Sequence, residues 1–184
     1  IPNIKNSDNV ISQSNEKINA EVYELTQRVI NSYYKEKKPE NHMAVEINSD
    51  VITNTSNWFT LKLTISETLA SSSLEYKYYH IDKKTDQMVR IADLFDGEEY
   101  KEVISDEIKK QMKDRMKENE NIVYWIDAEL KDCSFSKIND NQNFYFSENG
   151  NIVIVFDKYE VGPGSSGAPE FEIDKSIYER YKKK

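Results

Sequence analysis

The stretch FYFSENGNIVIVFDKYEVGPGSSGAPEFEI, residues 144–173, decides the fold of this chain. Two apolar runs, Phe144 to Phe146 and Ile152 to Phe156, enclose the dipeptide Asn149-Gly150. Asn-Gly between two apolar runs is the strongest short signal for a β-hairpin, because both residues tolerate the positive φ of its turn. A long loop of Gly, Ser and Pro then leads to a further strand-like segment. The stretch therefore predicts antiparallel strands that carry one long surface loop.

Earlier in the chain, apolar and polar residues alternate in several segments, which is typical of half-buried antiparallel strands. The predicted strands are Met43 to Ile47, Phe59 to Ile65, Leu74 to Ile81 and Gln87 to Ile91. A turn at residues 82–86 joins the last two of them as a hairpin. The connection at residues 66–73 is rich in hydroxyl groups and is expected to face solvent.

Two other segments repeat their apolar residues at the spacing of an α-helix. The first covers about residues 15–37, and Pro39 sets its latest end. The second begins near Asp96, whose spacing from Glu99 is that of a capping box, and continues to Met116. The apolar face of the first helix comprises Ile18, Val22, Leu25, Val29, Ile30 and Tyr33. The order of helix, strands, helix and strands predicts the α+β class, an antiparallel β-sheet with the two main α-helices packed on one side.

Length and composition favour a single domain over residues 14–184, preceded by a leader or linker at residues 1–13. The chain has 184 residues, of which 38% are hydrophobic, and this is enough for one core. Residues 1–13 lack sustained periodicity. The longest apolar run, Ile152 to Phe156, is far shorter than the ~18 residues that span a bilayer. The single cysteine, Cys133, excludes an intrachain disulfide and a cysteine-based zinc site.

The charge balance argues against nucleic acid as a partner. The chain has 33 acidic and 25 basic side chains, a net charge of −8 and a pI near 5.0. Binding to phosphates requires clustered Lys and Arg that outnumber the local carboxylates. A basic protein is the partner that this negative field favours.

The sequence contains no pattern that predicts catalysis, a metal site or a cofactor. His42 and His80 are far apart and lie outside the usual metal-binding motifs. The run Gly164-Ser165-Ser166-Gly167 is one residue short of the G-x-S-x-G motif of serine hydrolases. The acidic residues are too numerous to single out one catalytic pair. We therefore predict that the chain is not an enzyme and has no catalytic residue, metal ligand or cofactor.

The loop between Tyr159 and Phe171 is the strongest functional candidate. It contains three of the five glycines of the chain. A loop held between two strands often carries binding residues, but Gly and Pro also serve ordinary turn geometry, so both interpretations remain open. The aromatic surplus on the predicted strands has two interpretations as well, strand packing or a binding platform. The residues concerned are Tyr76, Tyr78, Tyr79 and Tyr145.

Two segments together carry a family resemblance. The first is YHIDKKTDQMVRIADLF, residues 79–95, with its aspartate-led turn and an Asp-Leu-Phe triplet. The second is residues 144–173, in which Tyr159-Glu160 precede a proline-containing loop that ends at Gly167. In this order the features extend over about residues 14–180. They resemble the extracytoplasmic domain of the RsiV family of anti-sigma factors, which is related to the non-catalytic region of PdaC-type peptidoglycan deacetylases.

This resemblance implies a membrane-anchored bacterial regulator at the extracytoplasmic face of the cell membrane. A cytoplasmic segment that is not in this chain would hold an extracytoplasmic-function sigma factor, and a single transmembrane helix, also not in this chain, would anchor the protein. The outer domain would bind C-type lysozyme. Binding would expose a site near the juxtamembrane leader, residues 1–13, to signal peptidase, and an intramembrane protease would then complete release of the sigma factor.

The resemblance also directs attention to two loops as the predicted lysozyme-binding surface. Lysozyme is strongly basic, so a net charge of −8 would attract it. In the loop at residues 159–169, Tyr159 is expected to anchor the partner, Pro163 to limit loop entropy, and the glycines to allow close backbone approach. The connection at residues 66–73 is the second candidate. The predicted contact residues are Tyr159, Glu160, Val161, Gly162, Pro163, Gly164, Ser165 and Ser166, followed by Ser71, Ser72 and Ser73.

Other functions stay open at this point. The chain can be the non-catalytic, peptidoglycan-binding domain of a deacetylase-like protein, or a module that recognises cell-wall glycan through exposed tyrosines. It can also be a secreted α+β domain with another role. Lysozyme binding would separate the sensor from these alternatives.

Overall fold

A computed structural model describes residues 13–38, 44–68, 72–126 and 134–183. The chain divides into two compact units, Ile1–Val89 and Arg90–Lys184. The predicted leader at residues 1–13 lies outside the described residues except for Gln13, which begins the first helix. The single domain over residues 14–184 remains a prediction, because a compact unit need not fold independently.

The first unit contains one long helix and an antiparallel sheet in its described part. Its elements are α1 (Gln13–Glu36), β1 (Ala44–Asn54), β2 (Trp58–Thr68), β3 (Ser72–Asp82) and β4 (Gln87–Met88). The strands are ordered β1-β2-β3-β4, and consecutive strands pair. The predicted helix and the hairpin after residue 82 are therefore confirmed. The last strand is shorter than predicted, because Ile91 begins a 3-10 turn, Ile91–Leu94.

The helix α1 packs its apolar face on the sheet, as its periodicity predicts. Four of the predicted face residues are buried, whereas Ile30 is exposed. The strands contribute every second residue to this core, since alternate side chains of a strand point to one face. The buried residues of this core are Ile18, Val22, Leu25, Val29, Leu61, Leu63, Ile65, Tyr79 and Ile81.

The polar connection predicted at residues 66–73 is mostly strand. Ser66 pairs with Leu74, Glu67 with Ser73, and Thr68 with Ser72, so the ladder of β2 and β3 continues through these residues. Ladder hydrogen bonds are made by the main chain, and Ser and Thr accept this geometry on a solvated face. The loop prediction is wrong for these residues, and residues 69–71 lie outside the described part of the chain.

The second unit packs helices against a shorter sheet. Its elements are α2 (Glu99–Glu118), β5 (Phe144–Phe146), β6 (Ile152–Val155), β7 (Glu170–Ile173) and the short helix α3 (Lys175–Tyr178). The strands are ordered β5-β6-β7 and are antiparallel. The α+β class is confirmed. The described antiparallel strands form two sheets, one in each unit, where one sheet was predicted.

The core of the second unit lies between α2 and its sheet. All four residues of β6 are buried, as are Ile104, Ile108 and Met112 of α2 at helical spacing. The β5–β6 hairpin turns at Asn149-Gly150, where the Gly150 N–H donates to Ser147 O over 2.9 Å and φ of Gly150 is +76°. This is a type I turn followed by a left-handed residue, and it confirms the predicted hairpin.

The predicted capping box of α2 does not form. The helix begins at Glu99 with Glu98 as its N-cap, which makes no side-chain cap hydrogen bond. The main chain of Asp96 turns away, because its N–H donates to Tyr181 O over 2.9 Å. The Glu99 carboxylate accepts from the Glu98 N–H over 3.0 Å. The spacing of Asp96 and Glu99 alone is thus insufficient to predict a capping box.

Candidate functional site

Residues 157–169 form a long loop between β6 and β7, which we call the 157–169 loop. The Phe156 N–H donates to Pro169 O over 3.1 Å and closes the base of the loop. The first turn of the loop is closed twice: the Glu160 N–H donates to Asp157 O over 3.1 Å, and the Asp157 N–H donates to Glu160 Oε2 over 2.7 Å. The loop therefore starts from a defined position at the end of the sheet.

Tyr159 is held in an unusual conformation at the tip of this turn. Its φ is +74°, a region that costs non-glycine residues of order 1–3 kcal/mol, and its residue is 52% exposed. The ring lies directly over Gly164: a Cβ added there would be 2.5 Å from Tyr159 Cε1 and from its hydroxyl oxygen. Lys158 Nζ is 5.1 Å from the ring centroid. The fold thus keeps a large aromatic ring at the surface.

Glu160 is exposed, but hydrogen bonds hold its carboxylate against the loop. Besides the bond from Asp157, its Oε1 lies 3.4 Å from Nε2 of Gln142, a buried side chain that also donates to Val155 O over 3.0 Å. Desolvation of the carboxylate raises the pKa of Glu160, and the two hydrogen bonds oppose that shift. The Glu160 carboxylate therefore stabilises the start of the loop, although the residue is exposed.

Val161 and Gly162 connect the loop to the segment before the undescribed residues. Val161 is 2% exposed and belongs to the core, so its side chain is not available to a partner. Its carbonyl accepts from the Trp125 N–H over 2.9 Å. A Cβ on Gly162 would lie 2.6 Å from Val123 O. The close approach that was expected of the glycines is thus used within the chain, against Val123 and the ring of Tyr159.

The second half of the loop is a 3-10 turn, Gly164–Ser166, which follows Pro163. The Ser166 N–H donates to Pro163 O over 2.8 Å. The Ser166 hydroxyl donates to Val123 O over 2.7 Å and accepts from Val123 N over 3.4 Å. Ser165 is exposed at the outer side of the turn, whereas Pro163 and Gly164 are half-buried. The loop therefore exposes Tyr159, Glu160 and Ser165.

Val123 is a residue of this region that the sequence analysis missed. It is 43% exposed and lies beside Ser166, although 43 residues separate the two. The apolar run Ile122 to Ile126, between Asn121 and Asp127, was the signal that could have found it. Nothing local in that run indicates contact with the 157–169 loop.

The serines predicted as the second contact do not form a described loop. Ser73 is exposed and lies in β3 opposite Glu67. Ser72 also belongs to β3, and Ser71 lies outside the described residues. These serines are in the first unit, whereas the 157–169 loop is in the second.

The predicted tyrosines lie in two different environments. Tyr79 is buried in the core of the first unit, where desolvation raises its pKa to about 12, and the Tyr145 hydroxyl donates to Glu170 Oε2 over 2.8 Å. Both pack within the fold. Tyr76 and Tyr78 lie on the other face of β3 and remain half-buried, with Lys62 Nζ 4.2 Å and 5.7 Å from their ring centroids.

His80 has a structural environment. It is buried, and its Nδ1 lies 3.0 Å from the Thr60 hydroxyl oxygen. His42 and Cys133 lie outside the described residues. Within the described ranges, no group of three or more His, Cys, Asp or Glu side chains could hold a metal ion. None of the described helices combines the length and apolar composition that a membrane span requires.

Comparison with known proteins shows similarity to an anti-sigma factor. Residues 92–176 match the family described as Protein of unknown function (DUF3298). The chain is 38% identical over 163 residues to the anti-sigma-V factor RsiV of Bacillus subtilis (strain 168), which covers 89% of this chain. It spans 56% of the length of that relative. Residues 92–176 thus match the model of the DUF3298 family, and the chain is similar to RsiV over most of its length, which confirms the resemblance seen in the sequence.

Two solved structures share the fold. A DUF3298 family member from Bacteroides fragilis aligns with a TM-score of 0.63 at 16% identity, over 94% of this chain and 68% of its own. A DUF3298 family protein from Pseudomonas aeruginosa PAO1 aligns with a TM-score of 0.61 at 14% identity, over 84% of this chain and 68% of its own. At these identities the likeness concerns the fold alone.

Proposed function

We propose that this chain is the extracytoplasmic sensor domain of a membrane-anchored anti-sigma factor and that it binds C-type lysozyme. The observation that carries the proposal is the 38% identity to anti-sigma-V factor RsiV over 89% of the chain. The sensor is non-catalytic and needs no cofactor. Its task is recognition of a protein ligand.

The 157–169 loop is the proposed lysozyme-contacting element. Tyr159 is exposed, its backbone is set by the turn at Asp157, and its ring rests against Gly164. An aromatic side chain that is ordered before binding loses little entropy on docking, and such residues dominate many protein interfaces. Lysozyme has a concave substrate cleft, and a projecting, pre-ordered loop is complementary to a cleft in shape.

The charge of the chain supports a basic ligand. The net charge is −8, and long-range attraction between oppositely charged proteins raises the association rate more than it slows dissociation. Lysozyme binding should therefore weaken with ionic strength mainly through association. Contacts at the loop then supply the specificity.

Signalling in the whole protein follows from the same proposal. A cytoplasmic segment holds the sigma factor, and a single transmembrane helix separates it from the sensor. Lysozyme binding exposes a site near residues 1–13 to signal peptidase, and an intramembrane protease then releases the sigma factor.

Titration calorimetry of this chain with hen egg-white lysozyme, at low and at moderate ionic strength, tests the proposal. Muramidase activity is measured in parallel. We expect one-to-one binding that weakens with salt and inhibits the enzyme, because the loop covers the cleft. No binding at either ionic strength would contradict the sensor function.

The Tyr159→Ala variant tests the role of the loop in the same titration. We expect affinity to fall by about 30-fold, a typical effect for a central aromatic contact. Tyr23→Ala is the matched control, since Tyr23 is equally exposed but lies on α1 in the first unit. Equal affinity of the two variants would contradict the role of the loop while leaving lysozyme binding intact.

A second candidate function, recognition of cell-wall glycan, is favoured by the half-buried pair Tyr76 and Tyr78 beside Lys62. Neighbouring aromatic rings on an accessible sheet face suit the apolar faces of sugar rings. The same calorimetry with soluble peptidoglycan fragments distinguishes the two functions. Binding of fragments without binding of lysozyme would favour the glycan module.

A further inference from the structure

The segment at residues 119–126, which follows α2, is fixed in place although it has no regular secondary structure. The Asn121 N–H donates to Asn119 Oδ1 over 3.0 Å, and the Ile122 N–H donates to Asn119 O over 3.0 Å. Tyr124 is buried, and its ring is 5.8 Å from that of Phe171 in an edge-to-face arrangement. These contacts tie the segment to the core of the second unit.

This segment also lies beside the 157–169 loop and is hydrogen-bonded to it. Trp125 donates its N–H to Val161 O, and the Ser166 hydroxyl bonds to both main-chain polar groups of Val123. The main chain of Val123 is thus directed towards the loop. Its side chain takes no part in the buried core of the unit and is 43% exposed.

Val123 and Tyr159 are both exposed and both lie beside the same turn. Among the described residues of the second unit, they are the large hydrophobic side chains that remain exposed. Both lie against the Gly164–Ser166 turn: the Tyr159 ring covers Gly164, and the Val123 main chain contacts Ser166. Exposed apolar residues scattered singly are ordinary, but two that flank one braced turn define a surface.

The charge of the two contributing segments is complementary to a basic partner. Residues 119–126 and 157–169 contain three carboxylates, on Glu120, Asp157 and Glu160, and one basic side chain, on Lys158. A small apolar centre with an acidic surround is the usual arrangement for recognition of a cationic protein surface.

We infer that Val123, Tyr159 and the Gly164–Ser166 turn form one contact surface for the lysozyme ligand, with Val123 as a second apolar contact. This inference rests on the proposed function and extends it, because the contact surface then includes the segment after α2 as well as the loop.

The Val123→Ser variant tests this inference in titration with hen egg-white lysozyme. The substitution keeps the main-chain groups that bond to Ser166 and changes no charge. We expect affinity to fall about 5-fold, as for loss of a partly buried valine, while the dependence of affinity on salt is unchanged. Val51→Ser is the matched control, since Val51 is 56% exposed and lies on β1 in the first unit.

The outcomes separate the two proposals. Full lysozyme affinity in Val123→Ser, beside normal binding by the native chain, would overturn the two-sided contact surface alone. An equal loss in Val51→Ser would overturn it too, because the effect would not be local. If the native chain binds no lysozyme, the proposed function fails and this inference fails with it. Circular dichroism of each variant tests whether the fold is retained.

Discussion

Two segments rich in small polar residues, residues 66–73 and residues 157–169, look alike in sequence and fold differently. The described part of the first continues the ladder of β2 and β3. The second leaves its sheet and is held by hydrogen bonds to Val123, Trp125 and Gln142. Ser and Thr do not interrupt the hydrogen-bond ladder of a sheet, because each has a main-chain N–H to donate and a β-carbon that limits the backbone to ordinary conformations. Gly and Pro change which backbone paths are possible, and they distinguish the second segment.

The largest effect should come from filling the space beside Gly162. In Gly162→Ala the new Cβ would meet Val123 O at 2.6 Å, and a backbone carbonyl in a fixed segment has little room to move. We expect the free energy of unfolding to fall by about 2–3 kcal/mol, as for overpacking in a core. Chemical denaturation measures it.

Ser73→Ala is the corresponding change in the other segment. Ser73 is exposed in a regular strand, so the expected effect is within about 0.5 kcal/mol. Similar losses from Gly162→Ala and Ser73→Ala would mean that the two segments are not distinguished by backbone approach.

An intermediate effect is expected at Gly164, where the obstacle is the Tyr159 ring instead of a main-chain atom. The ring can swing aside, so Gly164→Ala should leave stability almost unchanged and lower lysozyme affinity about 10-fold, or about 1.4 kcal/mol. A double-mutant cycle with Tyr159→Ala isolates the cause. Additive losses in the cycle would show that Gly164 acts on binding without the ring.

The smallest effect concerns the pH dependence of stability at Glu160. Burial raises the pKa of Glu160 in the folded protein, so ionisation is less favourable there than in the unfolded chain. Its contribution to stability is therefore greatest below the ordinary pKa of a glutamate and declines as pH rises through the raised value. Denaturation of the native chain and of Glu160→Gln across this range measures the difference.

Other carboxylates give the opposite trend, which makes the variant necessary as a reference. Hydrogen bonds lower the pKa of Asp93 and of Asp174, so their stabilisation is lost as pH falls. Subtraction of the stability curve of Glu160→Gln from that of the native chain cancels the contributions of Asp93 and Asp174. We expect the free energy of unfolding of the native chain, minus that of Glu160→Gln, to fall as pH rises. A rise in this quantity would show that the Glu160 carboxylate is stabilised in its charged form.

The sequence was sufficient where the signal is local. Asn149-Gly150 predicted a hairpin because the turn needs positive φ, and the periodicity from Ile18 to Val29 predicted the buried face of α1 because one helix face contacts the sheet. The family resemblance also rested on short motifs in a fixed order. These features depend on neighbours within a few positions.

The rest depends on contacts between distant residues. Val123 approaches Ser166 across 43 positions, and no local pattern encodes that pairing. Tyr159 lies at the surface and Val161, two residues later, lies in the core, because the left-handed conformation at Tyr159 changes the direction of the chain. The division of the strands between two sheets has the same origin, since alternation identifies strands without identifying their partners.

The bonds that hold the 157–169 loop have a consequence for which of its side chains can change. The carbonyl of Val161, the main chain of Val123 and the closure from Phe156 to Pro169 involve backbone groups. Any residue supplies a carbonyl, so the side chains at positions 123 and 165 are under little constraint from folding. A chain that keeps these backbone contacts can therefore change its side chains at positions 123 and 165 without altering the path of the loop.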